Sequence, residues 1–205
     1  MSSAPSGSPA AFFARRNLVT YVSVAFALAA MLVAGSEHGR WYAGAALALA
    51  ALADILDGRF ARLFKASEDE KRFGVQIDSL ADAVAFGVAP VVCLARFGAG
   101  AGGTIDSIAF FAAALFYVLA ALTRLGFYNV RDDATGFVGV PTTVAGILWS
   151  AMFLLAPGSW CALPLVVIAA LMIAPIALPR PGARTLVTLL VVCVALAAVH
   201  LVRSR

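Results

Sequence analysis

Four aspartates stand in otherwise apolar surroundings in the first half of the chain. Asp54 and Asp57 are three residues apart, and Asp78 and Asp82 are four residues apart. On α-helices, either spacing places both side chains on one face. If these two faces meet, four carboxylates share a small volume. Carboxylate oxygens are hard ligands that suit Mg²⁺ or Mn²⁺ better than zinc, so the pattern predicts a divalent-metal site.

The cost of burying these groups supports the same prediction. A carboxylate in the centre of a membrane helix costs about 2.5–3.5 kcal/mol, so four would cost on the order of 10 kcal/mol. Bound cations would offset that cost. The simpler alternative is structural pairing with nearby basic residues, but a salt-bridge network would not need this spacing. The basic residues available for it are Arg59, Arg62, Lys71 and Arg72.

Residues next to the first aspartate pair fit phosphoryl chemistry. Gly58 follows Asp57 directly, and a missing side chain there lets a ligand approach the backbone. Arg62 lies one turn later and could bind a phosphate. Two metals bridged by carboxylates could clamp a phosphoryl oxygen, and a carboxylate not needed as a ligand could take a proton from an attacking hydroxyl. The residues therefore predict metal-dependent phosphoryl chemistry.

The composition is typical of a polytopic membrane protein. Of 205 residues, 62% are hydrophobic and 13% are charged, whereas a soluble domain has about 45–50% apolar residues. The net charge of +4 fits the basic bias of cytoplasmic loops and does not indicate nucleic acid. Cys93, Cys161 and Cys193 lie in apolar stretches and are expected to be buried thiols, with no disulfide framework or zinc site.

We predict one all-α transmembrane domain over residues 12–205, after a disordered segment at 1–11. A charged loop at 66–73 would join the second and third spans, so that the aspartate-bearing ends meet at one membrane face. The predicted spans are 18–35, 41–64, 75–96, 106–128, 142–156, 160–178 and 185–202.

Basic residues predict the orientation of these spans. If the spans alternate, one side receives most of them and the other side receives Arg40 and Arg96. Because cytoplasmic loops are enriched in Lys and Arg, we expect the N-terminus and the aspartates at the cytoplasmic face of a bacterial or archaeal membrane, with the C-terminal tail outside. The residues of the basic side are Arg15, Arg16, Arg59, Arg62, Lys65, Lys71, Arg72, Arg124, Arg131, Arg180 and Arg184.

The spacing of the motif resembles a known signature. Asp54-x2-Asp57-Gly58-x2-Ala61-Arg62, followed by Gly74-x3-Asp78-x3-Asp82, resembles the CDP-alcohol phosphatidyltransferase family. The gap between the two halves is longer than usual, with the extra residues in the charged loop. Asn17 and Thr20 resemble the family's start of the first helix, with Arg16 where the family has a proline. The resemblance covers roughly residues 16–146 and implies an integral membrane enzyme with a six-helix core, here with an extra C-terminal helix.

The resemblance implies roles for the motif residues. Asp54, Asp57 and Asp78 would ligate two divalent ions, Mg²⁺ or Mn²⁺, and Asp82 would be both a ligand and the general base. The residues expected to border the CDP moiety are Gly58, Ala61, Arg62, Gly74, Asn17 and Thr20.

A second set of residues resembles the serine-specific branch of the family. These are the run Phe86-Gly87-Val88-Ala89-Pro90, Arg124-Leu125 with Asn129, and Gly139-Val140-Pro141. Phe127 stands where that branch usually has a second arginine. The branch implies transfer of a phosphatidyl group from CDP-diacylglycerol to serine, with a homodimer as the family's usual assembly. Candidates for the acceptor pocket are Arg124, Asn129 and Arg131.

Other functions remain open from the sequence. The acceptor could be glycerol 3-phosphate, inositol or inositol phosphate with the same chemistry. A cation-coupled transporter would use the acids as an ion relay, but it predicts inverted repeats and broken mid-membrane helices, which the sequence does not display. An intramembrane aspartyl protease needs two aspartates and leaves the other two, Gly58 and Arg62 unexplained.

Overall fold

A computed structural model of the protein describes residues 12–131, 137–156, 158–179 and 181–205. The segment predicted to be disordered, 1–11, lies outside these residues, as does Arg180. Across the described residues the chain is a helical bundle with one short pair of strands. The predicted all-α membrane-type fold class is therefore confirmed.

The described residues form a bundle of eight α-helical segments. The first, second, fifth and eighth are the long ones, and α3 and α4 are joined by a π-helical segment, Ala83–Val88, into one continuous helix. Helix α2 packs against α1, α6 and α8, and α5 packs against α7. In chain order the helices are α1 Leu18–Val33, α2 Gly39–Ala61, α3 Glu68–Asp82, α4 Ala89–Arg96, α5 Thr104–Val130, α6 Thr142–Met152, α7 Ala162–Ile173 and α8 Ala183–Arg203.

Four helices among the described residues are long and apolar enough to cross a membrane. They are Arg15–Val33, Glu68–Arg96, Thr104–Val130 and Ala183–Arg203. Large apolar side chains cover their outer surfaces: Ile105 and Phe111 of α5, for example, are 84% and 68% exposed. A surface of this kind is suited to lipid.

The third helix begins earlier than its sequence predicts. We expected a charged loop at 66–73, but α3 already begins at Glu68, so that prediction is wrong. The physical reason is a capping box: the Ser67 backbone N–H donates to the Glu70 carboxylate at 2.7 Å, and the Glu70 N–H donates to Ser67 Oγ at 3.3 Å. Three acids in the first turn also complement the helix dipole.

A short antiparallel strand pair lies next to the start of α6. β1 (Phe137–Val138) pairs with β2 (Ala177–Leu178), two elements that the all-α prediction did not include. Gly139 follows β1 with φ of +70°, and a Cβ there would overlap the carbonyl of Met172. Helix α7 ends at Ile173, before the predicted end of that span at 178, and the chain after it is extended at β2.

Small side chains allow close packing of the helices at the centre of the bundle. Helix α2 buries Ala43, Gly44, Ala48 and Ala51 against its neighbours, as small residues do where helix backbones approach one another. The three cysteines are fully buried, as predicted.

Candidate metal centre and substrate cavity

Two helices bring three aspartates into one cluster. Asp54 comes from the last turns of α2, and Asp78 and Asp82 come from α3. Carboxylate oxygens of these three residues all lie within 4.8 Å of one another. Three hard oxygen donors at this separation fit one divalent cation.

Two threonines at the start of α6 orient the cluster. Thr143 Oγ1 donates to Asp54 Oδ2 at 2.6 Å, and Thr142 Oγ1 donates to Asp82 Oδ2 at 2.8 Å. Each bond uses one oxygen of its carboxylate and leaves the other oxygen for a ligand. Hydrogen bonds of this kind fix the direction of a metal ligand.

Asp57 lies outside this group of three but lines the same cavity. Its Oδ2 accepts a hydrogen bond from Thr20 Oγ1 at 2.5 Å. Its Oδ1 is buried with no hydrogen-bond partner. A buried carboxylate oxygen without a donor is costly, and a cation contact would satisfy it. The donor set therefore fits a divalent-metal centre, with Asp57 available as a fourth ligand.

The charges of the cluster are not balanced by basic side chains. An ion pair between Lys71 and Glu68, at 2.7 Å, lies on the surface and involves none of these aspartates. Structural pairing of the aspartates with arginines and lysines, the simpler alternative, is therefore absent within the described residues. Two unit charges 4.8 Å apart repel each other by about 3 kcal/mol at an effective dielectric constant of about 20, and a bound cation would remove that repulsion.

A cavity of about 750 Å³ opens in front of the aspartates. A Cβ added at Gly58 would meet nothing within 4 Å, so this glycine faces open space. A Cβ at Gly74 would lie in ordinary contact with Arg16, at 3.5 Å, and Asn17, at 3.7 Å. The residues of the predicted site that line the cavity are Asp54, Asp57, Asp78, Asp82, Gly58, Ala61, Arg62, Gly74, Asn17 and Arg124.

Three predicted site residues do not line the cavity. Thr20 is buried and contacts the site through Asp57. Asn129 accepts a hydrogen bond from Ser79 at 2.9 Å, and the Arg131 guanidinium lies 5.4 Å from the centre of the Phe127 ring. These last two residues flank the end of α5, outside the cavity wall.

Arg124 is the most deeply buried cation of the site. It is 6% exposed, and its Nε and Nη2 are buried without a hydrogen-bond partner. Its guanidinium carbon lies 4.6 Å from the centre of the Tyr128 ring. A desolvated cation in a cavity wall attracts an anionic group.

A protein-family model matches this sequence. The model of CDP-alcohol phosphatidyltransferase matches residues 14–202, nearly the whole chain. The chain belongs to the CDP-alcohol phosphatidyltransferase family. This membership and the apolar helices together make it an integral membrane protein.

Similar curated proteins share one name, CDP-diacylglycerol–serine O-phosphatidyltransferase. The protein of Helicobacter pylori strain J99 is 34% identical over 138 residues, which is 64% of this chain and 54% of the relative. That of Mycobacterium tuberculosis strain H37Rv is 35% identical over 144 residues, 64% of this chain and 46% of the relative. That of Saccharomyces cerevisiae is 40% identical over 110 residues, 48% of this chain and 37% of the relative. The chain thus spans about half the length of the curated relatives it matches.

The family motif omits several residues of the cavity wall. Thr142 and Thr143 follow the Gly139-Val140-Pro141 run, which was the only sequence signal near them. Arg16 and Lys71 also line the cavity and add positive charge to it. Only the fold brings these residues to the motif.

Proposed function

We propose that this member of the family transfers a phosphatidyl group from CDP-diacylglycerol to L-serine, giving phosphatidylserine and CMP. The observation that carries the proposal is the cluster of Asp54, Asp78 and Asp82 in the wall of the 750 Å³ cavity. The names of the similar proteins support serine as the acceptor.

Two divalent cations, Mg²⁺ or Mn²⁺, would be held by Asp54, Asp57, Asp78 and Asp82. When bound, such ions neutralise phosphate oxygens and stabilise the charge that develops during a displacement. The chain's own residues hold the CDP moiety beside them. Gly58 provides the open space for close approach, and Arg62 provides a positive charge on the cavity wall. The other residues proposed to border the CDP moiety are Ala61, Gly74 and Asn17, with Thr20 acting through Asp57.

The proposed reaction is a single displacement at phosphorus. The serine hydroxyl oxygen attacks the phosphorus that carries the diacylglycerol oxygen, and a new P–O bond forms. The P–O bond to CMP breaks, and CMP leaves with the bonding electron pair. Asp82 takes the proton of the attacking hydroxyl, while its hydrogen bond from Thr142 fixes the direction of the carboxylate.

The acceptor pocket is proposed at the end of α5. Arg124 lines the cavity and has buried guanidinium donors without a partner, so it is the candidate for the serine carboxylate. Asn129 and Arg131 remain acceptor-pocket candidates from the sequence, although they lie outside the cavity wall. Phe127, which replaces an arginine of the serine branch, is 45% exposed, and the Arg131 guanidinium carbon lies 5.4 Å from the centre of its ring.

The setting of the enzyme is part of the proposal. We expect the cavity to face the cytoplasm of a bacterial or archaeal cell, because the basic residues cluster at that end. A homodimer is expected from the family resemblance. The same chemistry with glycerol 3-phosphate, inositol or inositol phosphate is the nearest alternative, and a cation-coupled transporter is the alternative of a different class.

Release of CMP from CDP-diacylglycerol by the purified protein tests this function. The assay contains Mg²⁺ or Mn²⁺ in detergent and offers serine, glycerol 3-phosphate, inositol and inositol phosphate separately. We expect release with serine, and loss of that release in Asp82→Asn. Release should be kept in the control Asp106→Asn, because Asp106 lies in the first turn of α5, outside the cavity. Release with another acceptor would contradict the assignment of serine. No metal-dependent release with any acceptor, together with cation uptake into proteoliposomes, would favour the transporter.

A further inference from the structure

The π-helical segment Ala83–Val88 begins directly after Asp82. At its end the N–H of Ala89, the next residue, donates to the Val84 carbonyl, five residues earlier. Pro90 accounts for this departure from α-helix. In an α-helix the Phe86 carbonyl would accept from the N–H of residue 90, and proline has no N–H. π-Helical turns of this kind are frequent at functional sites.

Tyr117 of α5 supplies a donor to this carbonyl. Its hydroxyl donates to the Phe86 carbonyl oxygen at 2.7 Å, and both residues are fully buried. One turn further along α5, Ala121 packs against Gly87, where an added Cβ would lie 3.4 Å from the Ala121 Cβ. Helix α5 therefore holds one side of the π-helical segment.

Helix α6 contacts both Asp82 and the π-helical segment that follows it. Thr142 donates to Asp82, and four residues later Gly146 lies against the Phe86 ring so closely that a Cβ would overlap it. Phe86 also follows Asp82 by four residues. Because these contacts repeat at the same interval on both helices, a change in the twist of the segment would rotate Asp82 relative to Thr142.

We propose that Tyr117 is a positioning residue for Asp82. By donating to the Phe86 carbonyl, it holds the π-helical segment in the twist that directs the Asp82 carboxylate toward Asp54 and Asp78. The role in catalysis rests on the proposed function, whereas the effect on the metal centre does not. No contact of Tyr117 with substrate is involved, since Tyr117 does not line the cavity.

The affinity for Mn²⁺, measured through the thermal unfolding midpoint of the purified protein, tests the proposal. A cation that binds only the folded state raises the unfolding midpoint, so a titration gives the Mn²⁺ concentration for half of the maximal shift. We expect Tyr117→Phe to raise that concentration about tenfold, as loss of a group that orients a metal ligand does. Ser150→Ala is the matched control, because it removes another buried hydroxyl that donates to a helix carbonyl, Gly44 O at 2.8 Å, away from the aspartates. It should leave the Mn²⁺ concentration within about twofold.

A double-mutant cycle separates positioning from general destabilisation. If Tyr117 acts through Asp82, adding Tyr117→Phe to Asp82→Asn should change the half-maximal Mn²⁺ concentration by less than about twofold. An unchanged Mn²⁺ concentration in the single variant, the same tenfold rise in both backgrounds, or wild-type protein that does not respond to Mn²⁺ would overturn the proposal. A wild-type protein that binds Mn²⁺ but releases no CMP would contradict the proposed function alone.

A second variant keeps the test available if Tyr117→Phe does not fold. Pro90→Ala restores an N–H that can pair with the Phe86 carbonyl in an α-helix, so it should relax the π-helical segment while Tyr117 is retained. We expect the same rise of about tenfold in the half-maximal Mn²⁺ concentration. A value equal to that of the wild type would overturn the proposal.

Discussion

Threonine hydroxyls hold three of the four aspartates at the site. Thr20 donates to Asp57, and two threonines of α6 donate to Asp54 and Asp82. A hydroxyl is neutral, so it fixes the direction of a carboxylate without cancelling the charge that attracts a cation. A lysine or arginine in the same place would compete with the metal.

Replacement of Thr20 by valine tests this arrangement at Asp57. Valine keeps the shape of the side chain but removes the only described donor to a carboxylate that is 7% exposed. We expect the Mn²⁺ concentration for half-maximal activity to rise about tenfold, with little change in the KM for CDP-diacylglycerol. Ser23→Ala is the control, since Ser23 lies one turn later on α1 and donates to the Ala50 carbonyl at 3.0 Å. A rise in the donor KM without a change in the metal requirement would instead indicate direct contact of Thr20 with the CDP moiety.

Replacement of Arg124 by glutamine tests the proposed acceptor pocket. The substitution removes the buried guanidinium and its charge-assisted contact with the serine carboxylate. Such a contact is worth about 1.5–3 kcal/mol. We expect the KM for serine to rise by about 10- to 100-fold, while the KM for CDP-diacylglycerol changes little. Arg96→Gln, at the end of α4 and outside the cavity, should leave both values near those of the wild type. An effect confined to the donor KM would assign Arg124 to the CDP-diacylglycerol site.

The first turn of α3 determines where the charged segment becomes helix. Ser67→Ala removes the hydroxyl of the capping box and should cost about 1 kcal/mol of helix stability. We expect faster amide hydrogen exchange at residues 68–71 and nearly unchanged CMP release, because the aspartates lie two turns or more beyond this end. Ser36→Ala, which removes an exposed hydroxyl at the end of α1, should not alter exchange in α3. Unchanged exchange at 68–71 would mean that the capping box contributes nothing measurable.

The elements predicted from the sequence are those with strong local signals. Long apolar runs predict the helices, and the spacing of Asp54, Asp57, Asp78 and Asp82 predicts the acidic faces, because a helix fixes which residues share a side. The start of α3 was missed because a run of charges is as typical of a loop as of an exposed helix turn. Its signal, serine followed three residues later by glutamate, was present in the sequence.

Other features depend on contacts between distant parts of the chain. Thr143 and Asp54 are 89 residues apart, and Tyr117 and Phe86 are 31 residues apart. No local pattern indicates that such pairs meet. Each strand has only two residues, which is too short to give an alternating pattern. Their pairing depends on the chain after α7 meeting the segment before α6.

The two ends of the molecule differ in chemistry. Helix α2 has 23 residues and is about 34 Å long, close to the thickness of a membrane's hydrocarbon core, about 30 Å. Its last turns carry Asp54 and Asp57, and its first turn carries Trp41. The guanidinium of Arg203, at the end of α8, lies 5.6 Å from the centre of the Trp41 ring. The C-terminal end of α8 therefore lies at the opposite end of the bundle from the cavity.

Cysteine labelling tests how these two ends face the membrane. The native cysteines are fully buried, so they should react slowly and can be retained. Lys65→Cys places an exposed thiol at the cavity end, whereas Glu37→Cys and Arg205→Cys place exposed thiols at the opposite end. In intact spheroplasts, a membrane-impermeant maleimide should label the latter two variants and should label Lys65→Cys only after permeabilisation, because the basic end is retained in the cytoplasm. Labelling of Lys65→Cys in intact spheroplasts, with protection of the other two, would place the cavity outside the cell, away from a cytoplasmic supply of nucleotide-activated lipid.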